Sequence, residues 1–179
     1  EPLLHKSLVD MIHHTAINHK IRTITSVHLG NLSDEQVEGI ATSGLDKLIV
    51  SVDGATQKVY EKYRVGGDIE KVFANMKRLV EAKKQHNSKV NIVWNFLVMK
   101  QNEHQIEDIE VLAKEIGVDE VKYKSAQIYD FKNGNPLIPE NEKYSRYSRN
   151  KDGTYKLKYN LKVIMDFEEE LGSPNITNA

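Results

Sequence analysis

Gly44-Leu45-Asp46-Lys47-Leu48-Ile49-Val50-Ser51-Val52-Asp53-Gly54-Ala55-Thr56 decides how this chain reads, because an apolar strand there runs straight into a polar, glycine-containing turn and a helix start. Leu48, Ile49, Val50 and Val52 make a nearly continuous apolar run, as a parallel strand covered by helices requires. Ser51, Asp53 and Gly54 stand at its carboxyl end, where α/β sheets and barrels bind ligands. Gly54 lets a ligand or a loop approach the backbone closely. Taken alone, the same residues also serve as a plain βα turn in which Thr56 or Asp53 caps the next helix.

Working outward, the chain repeats a helix–strand rhythm. Leu3 to Asn18 carries Leu4, Leu8, Met11, Ile12 and Ala16 near a helical period, and the β-rich Ile21 to Val27 follows. Ser33 with Gln36 three residues on reads as a capping box, and Gly44 ends that helix before the Leu48 strand. A short helix over Thr56 to Tyr63 is broken at Gly66-Gly67, and Asp68 caps a longer one bearing Ile69, Val72, Phe73, Met76, Leu79 and Val80. Val90 to Met99 is a strand with Ile92, Trp94, Phe96 and Val98 on one face and Val93, Asn95 and Leu97 on the other. Gln101 or Asn102 opens a helix striped by Ile106, Ile109, Leu112, Ala113 and Ile116 and closed by Gly117; Glu103 complements its dipole, and Val118 to Ser125 is strand. Such alternation implies an α/β fold with a parallel sheet. After Ala126 the turn signals Asn133-Gly134-Asn135-Pro136 and Ile138-Pro139 predict an irregular cover, Tyr144 to Arg149 an amphipathic surface segment, and Leu157 to Leu171 one more helix.

Composition narrows the chemistry. The 179 residues include 0 cysteines, so they offer no thiolate metal site, disulfide or cysteine nucleophile. With 25 basic and 26 acidic residues, no global field recruits nucleic acid or an anionic membrane, and a small-molecule partner fits better. No run of about 18 apolar residues spans a bilayer, and no secretory signal pattern is present, so a cytoplasmic location is expected. His13 and His14 diverge around a helix without a carboxylate to complete a metal site. Hydrolase and phosphate-loop signatures are missing.

Strung together, Glu1-Pro2-Leu3, Leu32-Ser33-Asp34-Glu35, Ser43-Gly44-Leu45-Asp46, Val50-Ser51-Val52-Asp53-Gly54-Ala55-Thr56, Tyr60-Glu61-Lys62-Tyr63-Arg64 and Val98-Met99-Lys100-Gln101-Asn102-Glu103 resemble radical S-adenosylmethionine enzymes. The likeness is to members with a C-terminal SPASM-type auxiliary-cluster domain, and it covers Glu1 to Gly153. What the resemblance implies is a partial (β/α)6 TIM-type barrel. In it a Cys-x3-Cys-x2-Cys loop holds a 4Fe-4S cluster and S-adenosylmethionine is cleaved reductively to a radical that abstracts hydrogen from a peptide, protein or small metabolite. The cysteine motif, the first strand and the Gly-Gly of a Gly-Gly-Glu-Pro motif have no counterpart here, so the expectation is an incomplete barrel domain over residues 1–130, a cover and tail over 131–179, and no catalysis by this chain alone. The chain thus reads as a fragment or remnant of a larger enzyme.

Carried over by position, Glu1 and Pro2 match the motif that meets the methionyl amine. Ser51 and Asp53 match the family's fourth-strand end beside ribose and carboxylate. Asn95 and Val98 match the fifth strand and Lys124 the sixth, as cofactor contacts. Ser26, His28, Ser125 and Gln127 are the expected substrate-side residues. No residue of the chain is assigned as catalytic or as a metal ligand. The alternative reading is a non-catalytic α/β module, a homodimer formed through open sheet edges.

Overall fold

The computed structural model describes residues 1–19 and 21–158. Its frame is a four-stranded, all-parallel sheet, β1 (Ile24–Val27), β2 (Lys47–Ser51), β3 (Asn91–Val98) and β4 (Glu120–Ser125), in that spatial order. Helices α1 (Leu8–His19), α2 (Asp34–Thr42), α3 (Gln57–Tyr60), α4 (Ile69–Gln85) and α5 (Ile106–Ile116) alternate with the strands. The expected α/β architecture with parallel strands is therefore present.

Local chemistry sets the boundaries. Ser33 accepts from Gln36 N while the Gln36 side chain accepts from Ser33 N, a complete capping box for α2. Asp68 accepts from Lys71 N to start α4. Gly117, at φ 86°, ends α5 in the left-handed region that a side chain would strain.

Register then sorts side chains by parity. Ser51 pairs with Asn95, Asn95 with Lys122 and Leu97 with Lys124, and paired residues of parallel strands share a face. On the opposite face Leu48, Val50, Val52, Ile92, Trp94, Phe96 and Val98 are almost wholly buried, in one cluster with Ile40, Val72, Met76, Leu79 and Ile109 of the helices. Each such side chain stabilises the fold by about 1.5–3 kcal/mol relative to exposure.

Four expectations are corrected. The first predicted helix divides: Pro2–Leu4 is a 3-10 turn and α1 begins at Leu8, leaving Leu4 and Met11 exposed. A proline at the first position and the Glu1 carboxylate accepting from Leu3 N favour that separate turn. The segment after Ala126 is not wholly irregular, since β5 (Tyr147–Arg149) and β6 (Tyr155–Leu157) form an antiparallel hairpin. Within it Tyr147 is buried with Met99, Ala126, Ile128 and Ile138, so Tyr144 to Arg149 is not simply an amphipathic surface. The phenol of Tyr147 accepts from Ile128 N at 2.6 Å and donates to Ile128 O at 2.9 Å. Leu157 lies in β6 rather than opening a helix, and the remainder of that predicted helix falls outside the described residues.

Candidate functional site

One face of the sheet is closed by helices; the other carries a polar row. Across the carboxyl ends of the strands run Ser26, Ser51, Asn95, Lys122 and Lys124, exposed or half-buried. Ser26 Oγ and Ser51 Oγ stand 3.5 Å apart. Asn95 Oδ1 is buried yet has no hydrogen-bond partner among the described residues. An orphaned buried acceptor costs about 1–3 kcal/mol, so it survives where a ligand or ordered water completes it.

Behind this row lies a buried polar brace. Asp53, fully buried, accepts from Arg64 Nε and Arg64 Nη2, each at 2.7 Å, through Oδ2, and from Leu97 N at 2.9 Å through Oδ1. Asn102, also fully buried, donates to Asp53 O at 3.0 Å and Leu97 O at 2.9 Å and accepts from Met99 N at 2.7 Å. Gln105 accepts from Ala55 N at 2.9 Å and donates to Thr56 Oγ1 at 3.0 Å. The turn after β2 is thereby fixed to the start of α5. Arg64 is held on one edge by Asp53 while 31% of its side chain stays accessible, which leaves guanidinium donors for an anionic ligand.

The expected residues separate into groups. Ser26, Ser51, Asn95 and Lys124 share the open face. Asp53 lies at the same strand end, but its carboxylate is committed to Arg64 and Leu97 N. Val98 is wholly buried on the closed face, and Ser125, its register partner, follows the same parity; Val98 can offer the open side only its backbone. Gln127 is exposed beyond β4. Glu1 ties the chain start to β1: its carboxylate accepts from His28 N at 3.0 Å and lies 2.9 Å from His28 Nε2, and His28 Nδ1 accepts from Gly30 N at 3.1 Å. Pro2 sits in the adjoining 3-10 turn.

Sequence reasoning missed Arg64 and Gln105. Arg64 lies eleven residues past Asp53 on the far side of α3, so no local spacing marks the pair. Asn102 and Glu103 were expected as helix starters. Both do stand at a helix start, Asn102 at the cap position of a 3-10 turn, Glu103–Gln105, that leads into α5; the Asn102 side chain makes no cap bond and joins the brace, and Glu103 accepts from Glu140 N at 3.1 Å and Asn141 N at 2.9 Å, pinning the cover segment. No cluster of three or more metal-ligating acids or histidines occurs among the described residues.

The family profile described as the Radical SAM superfamily matches residues 1–116. The chain belongs to that superfamily. It is 28% identical over 117 residues to the probable GTP 3',8-cyclase of Methanocaldococcus jannaschii, covering 65% of this chain and 37% of that protein. It is 30% identical over 144 residues to the PqqA peptide cyclase of Rhodopseudomonas palustris, covering 78% of this chain and 36% of the relative. The chain therefore spans about a third of the length of these curated relatives. Among solved structures, Streptococcus suis SuiB bound to S-adenosylmethionine superposes with a TM-score of 0.60 at 16% identity, over 73% of this chain and 29% of SuiB. TYW1 with a lysine-pyruvate adduct superposes at 0.56 and 15% identity, over 88% and 53% of the two chains. These structural likenesses speak to the radical SAM barrel fold. No helix among the described residues is long and apolar enough to cross a membrane.

Proposed function

We propose that the open face is the S-adenosylmethionine half-site of a radical SAM enzyme of the SPASM-containing type, and that the intact enzyme acts on a peptide. The observation that carries this reading is the unpartnered Asn95 Oδ1, set beside Ser51 on the open face at the carboxyl ends of parallel strands. In this assignment Ser51 and Asn95 meet the ribose and adenine, and Arg64 takes the methionyl carboxylate. Asp53 orients Arg64 rather than touching the cofactor. Asn102 and Gln105 hold the loop in place, so the site is preorganised before ligand arrives.

Two groups implied by the family are tested by the donors present. S-adenosylmethionine fits, because an orphaned acceptor, two hydroxyls and a partly accessible guanidinium match its nucleoside and carboxylate. When bound beside a reduced 4Fe-4S cluster, it is the source of the family's radical chemistry. The cluster itself does not fit the residues given: none of the 179 is a cysteine, and iron-sulfur clusters take thiolates. Alone, the chain is therefore expected to bind the cofactor weakly and to leave it uncleaved. The peptide reading draws on the match to the PqqA peptide cyclase, which is 30% identical to this chain where the GTP 3',8-cyclases are 28% identical.

Calorimetric titration with S-adenosylmethionine and S-adenosylhomocysteine tests the half-site. Saturable binding of both at millimolar dissociation constants, about 4 kcal/mol, lost in Ser51→Ala plus Asn95→Ala, is the expected result. Binding that survives this double substitution, or no binding by a folded wild-type chain, refutes the assignment.

A further inference from the structure

Away from the strand ends, the β5–β6 hairpin borders a groove of about 570 Å³ lined by Phe131, Lys132, Ser148, Tyr155, Lys156, Leu157 and Lys158. Its chemistry is uneven: aromatic and aliphatic surface from Phe131, Tyr155 and Leu157, rimmed by three lysines. Lys132 and Lys156 are exposed, and neither makes an ion pair or side-chain hydrogen bond among the described residues. Lys158 instead reaches Glu142, donating to its carbonyl at 2.8 Å.

The ladder geometry points the same way. Asn150 N donates to Thr154 O and Lys158 N to Arg146 O, each at 2.7 Å, which fixes the bonded pairs of the hairpin at residues 150 with 154 and 146 with 158. The alternation of an antiparallel ladder then turns the backbone groups of Tyr155 and Leu157 outward from β6. Tyr155 N already uses that direction, donating to Lys132 O at 2.8 Å. The next outward rung, at Leu157, opens on the groove, and Leu157 itself is 38% exposed. An edge of this kind pairs with an added strand, whose alternate side chains enter the flanking groove.

We propose that β6 is a docking edge for an extended, acidic peptide segment of a partner protein. Backbone pairing extends the Tyr155 rung to Leu157, apolar side chains of the peptide rest on Phe131 and Tyr155, and its carboxylates face Lys132 and Lys156. Charge complementarity selects an acidic occupant: the lysine rim repels a basic strand and gives a neutral one no added attraction. The proposal stands apart from the cofactor reading, since no residue of the groove belongs to the open face.

The test is fluorescence anisotropy of the 179-residue chain with a labelled octapeptide of alternating glutamate and valine, beside its lysine–valine counterpart. The acidic peptide is expected to bind saturably and the basic one not. Lys132→Glu plus Lys156→Glu weakens binding about tenfold, an effect that shrinks as salt rises. Leu157→Pro removes one outward N–H that the hairpin does not use and weakens binding about fivefold, the equivalent of one hydrogen bond. Unchanged circular dichroism and melting temperature show that both variants fold. Absent binding, equal binding of both peptides, or full affinity in Leu157→Pro overturns the docking edge. Self-association of the free chain that the charge-reversed variant abolishes, without peptide binding, assigns the edge to a second copy and likewise overturns it.

Discussion

The two faces of one sheet divide the labour of this molecule. On the closed face Leu48, Val50, Ile92, Trp94 and Phe96 are almost wholly buried among helix side chains; on the open face, one residue over on the same strands, stand Ser51, Asn95, Lys122 and Lys124. A period of two lets a single strand supply stability with one set of residues and leave the other set free for the recognition proposed above. The brace of Asp53, Arg64, Asn102 and Gln105 lies where the two faces meet, at the strand ends. Substitutions on each side therefore have different signatures.

The largest effect is expected on the closed face. Trp94→Ala removes a fully buried ring that packs 5.5 Å from Phe73 and donates to Val52 O at 3.0 Å, and it lowers unfolding free energy by about 3–5 kcal/mol in urea titration. Next comes the brace. Arg64→Ala leaves the Asp53 carboxylate buried without its cation and costs about 3 kcal/mol, the low end for such pairs because the guanidinium keeps some water. Arg64→Ala with Asp53→Asn recovers part of that loss, while cofactor affinity stays absent in both variants. A single Arg64→Ala that melts like wild type breaks the distinction between brace and open face.

Asn95 sharpens the comparison through its sign. Its buried Oδ1 lacks a partner among the described residues, so Asn95→Val removes a desolvated acceptor and raises stability by about 1 kcal/mol in chemical denaturation. A gain in stability joined to a loss of cofactor binding is the signature of a recognition residue. Destabilisation by Asn95→Val would move Asn95 into the structural set.

Parity also explains what was legible beforehand. Alternation along Ile92 to Val98 separated the buried set from Asn95 correctly, and the same rule places Val98 on the face opposite Asn95, so grouping both as cofactor contacts set family position against strand geometry. The helix boundaries at Ser33, Asp68 and Gly117 were readable because capping is a short-range contract between side chain and backbone. Long-range contracts were not: Arg64 with Asp53, Gln105 with Ala55, and Glu103 with Glu140 and Asn141 depend on tertiary approach across many residues. The hairpin escaped notice because strands of three residues, rich in Ser, Arg and Lys, carry too little alternation to register.

The smallest effect is an alkaline one, and it belongs to the closed face. Tyr123, register partner of Phe96, has its phenol pushed well above the ordinary value of 10.0, first by burial and then by the hydrogen bond it donates to Glu110 Oε1 at 2.6 Å. Burial raises Tyr60 as well, against the pull of Arg64. A group whose folded pKa lies above its unfolded value favours the folded state fully below the unfolded value, and that contribution fades as pH climbs past about 10. Wild type is thus expected to lose stability above pH 10 more steeply than Tyr123→Phe, with the difference between them constant from pH 6 to 9 in urea titrations. Open-face variants Ser51→Ala and Asn95→Val keep the wild-type alkaline slope, since they touch neither phenol. An alkaline limb unchanged in Tyr123→Phe would show that the Glu110 bond does not hold that proton, and would leave Tyr60 as the closed face's titrating group.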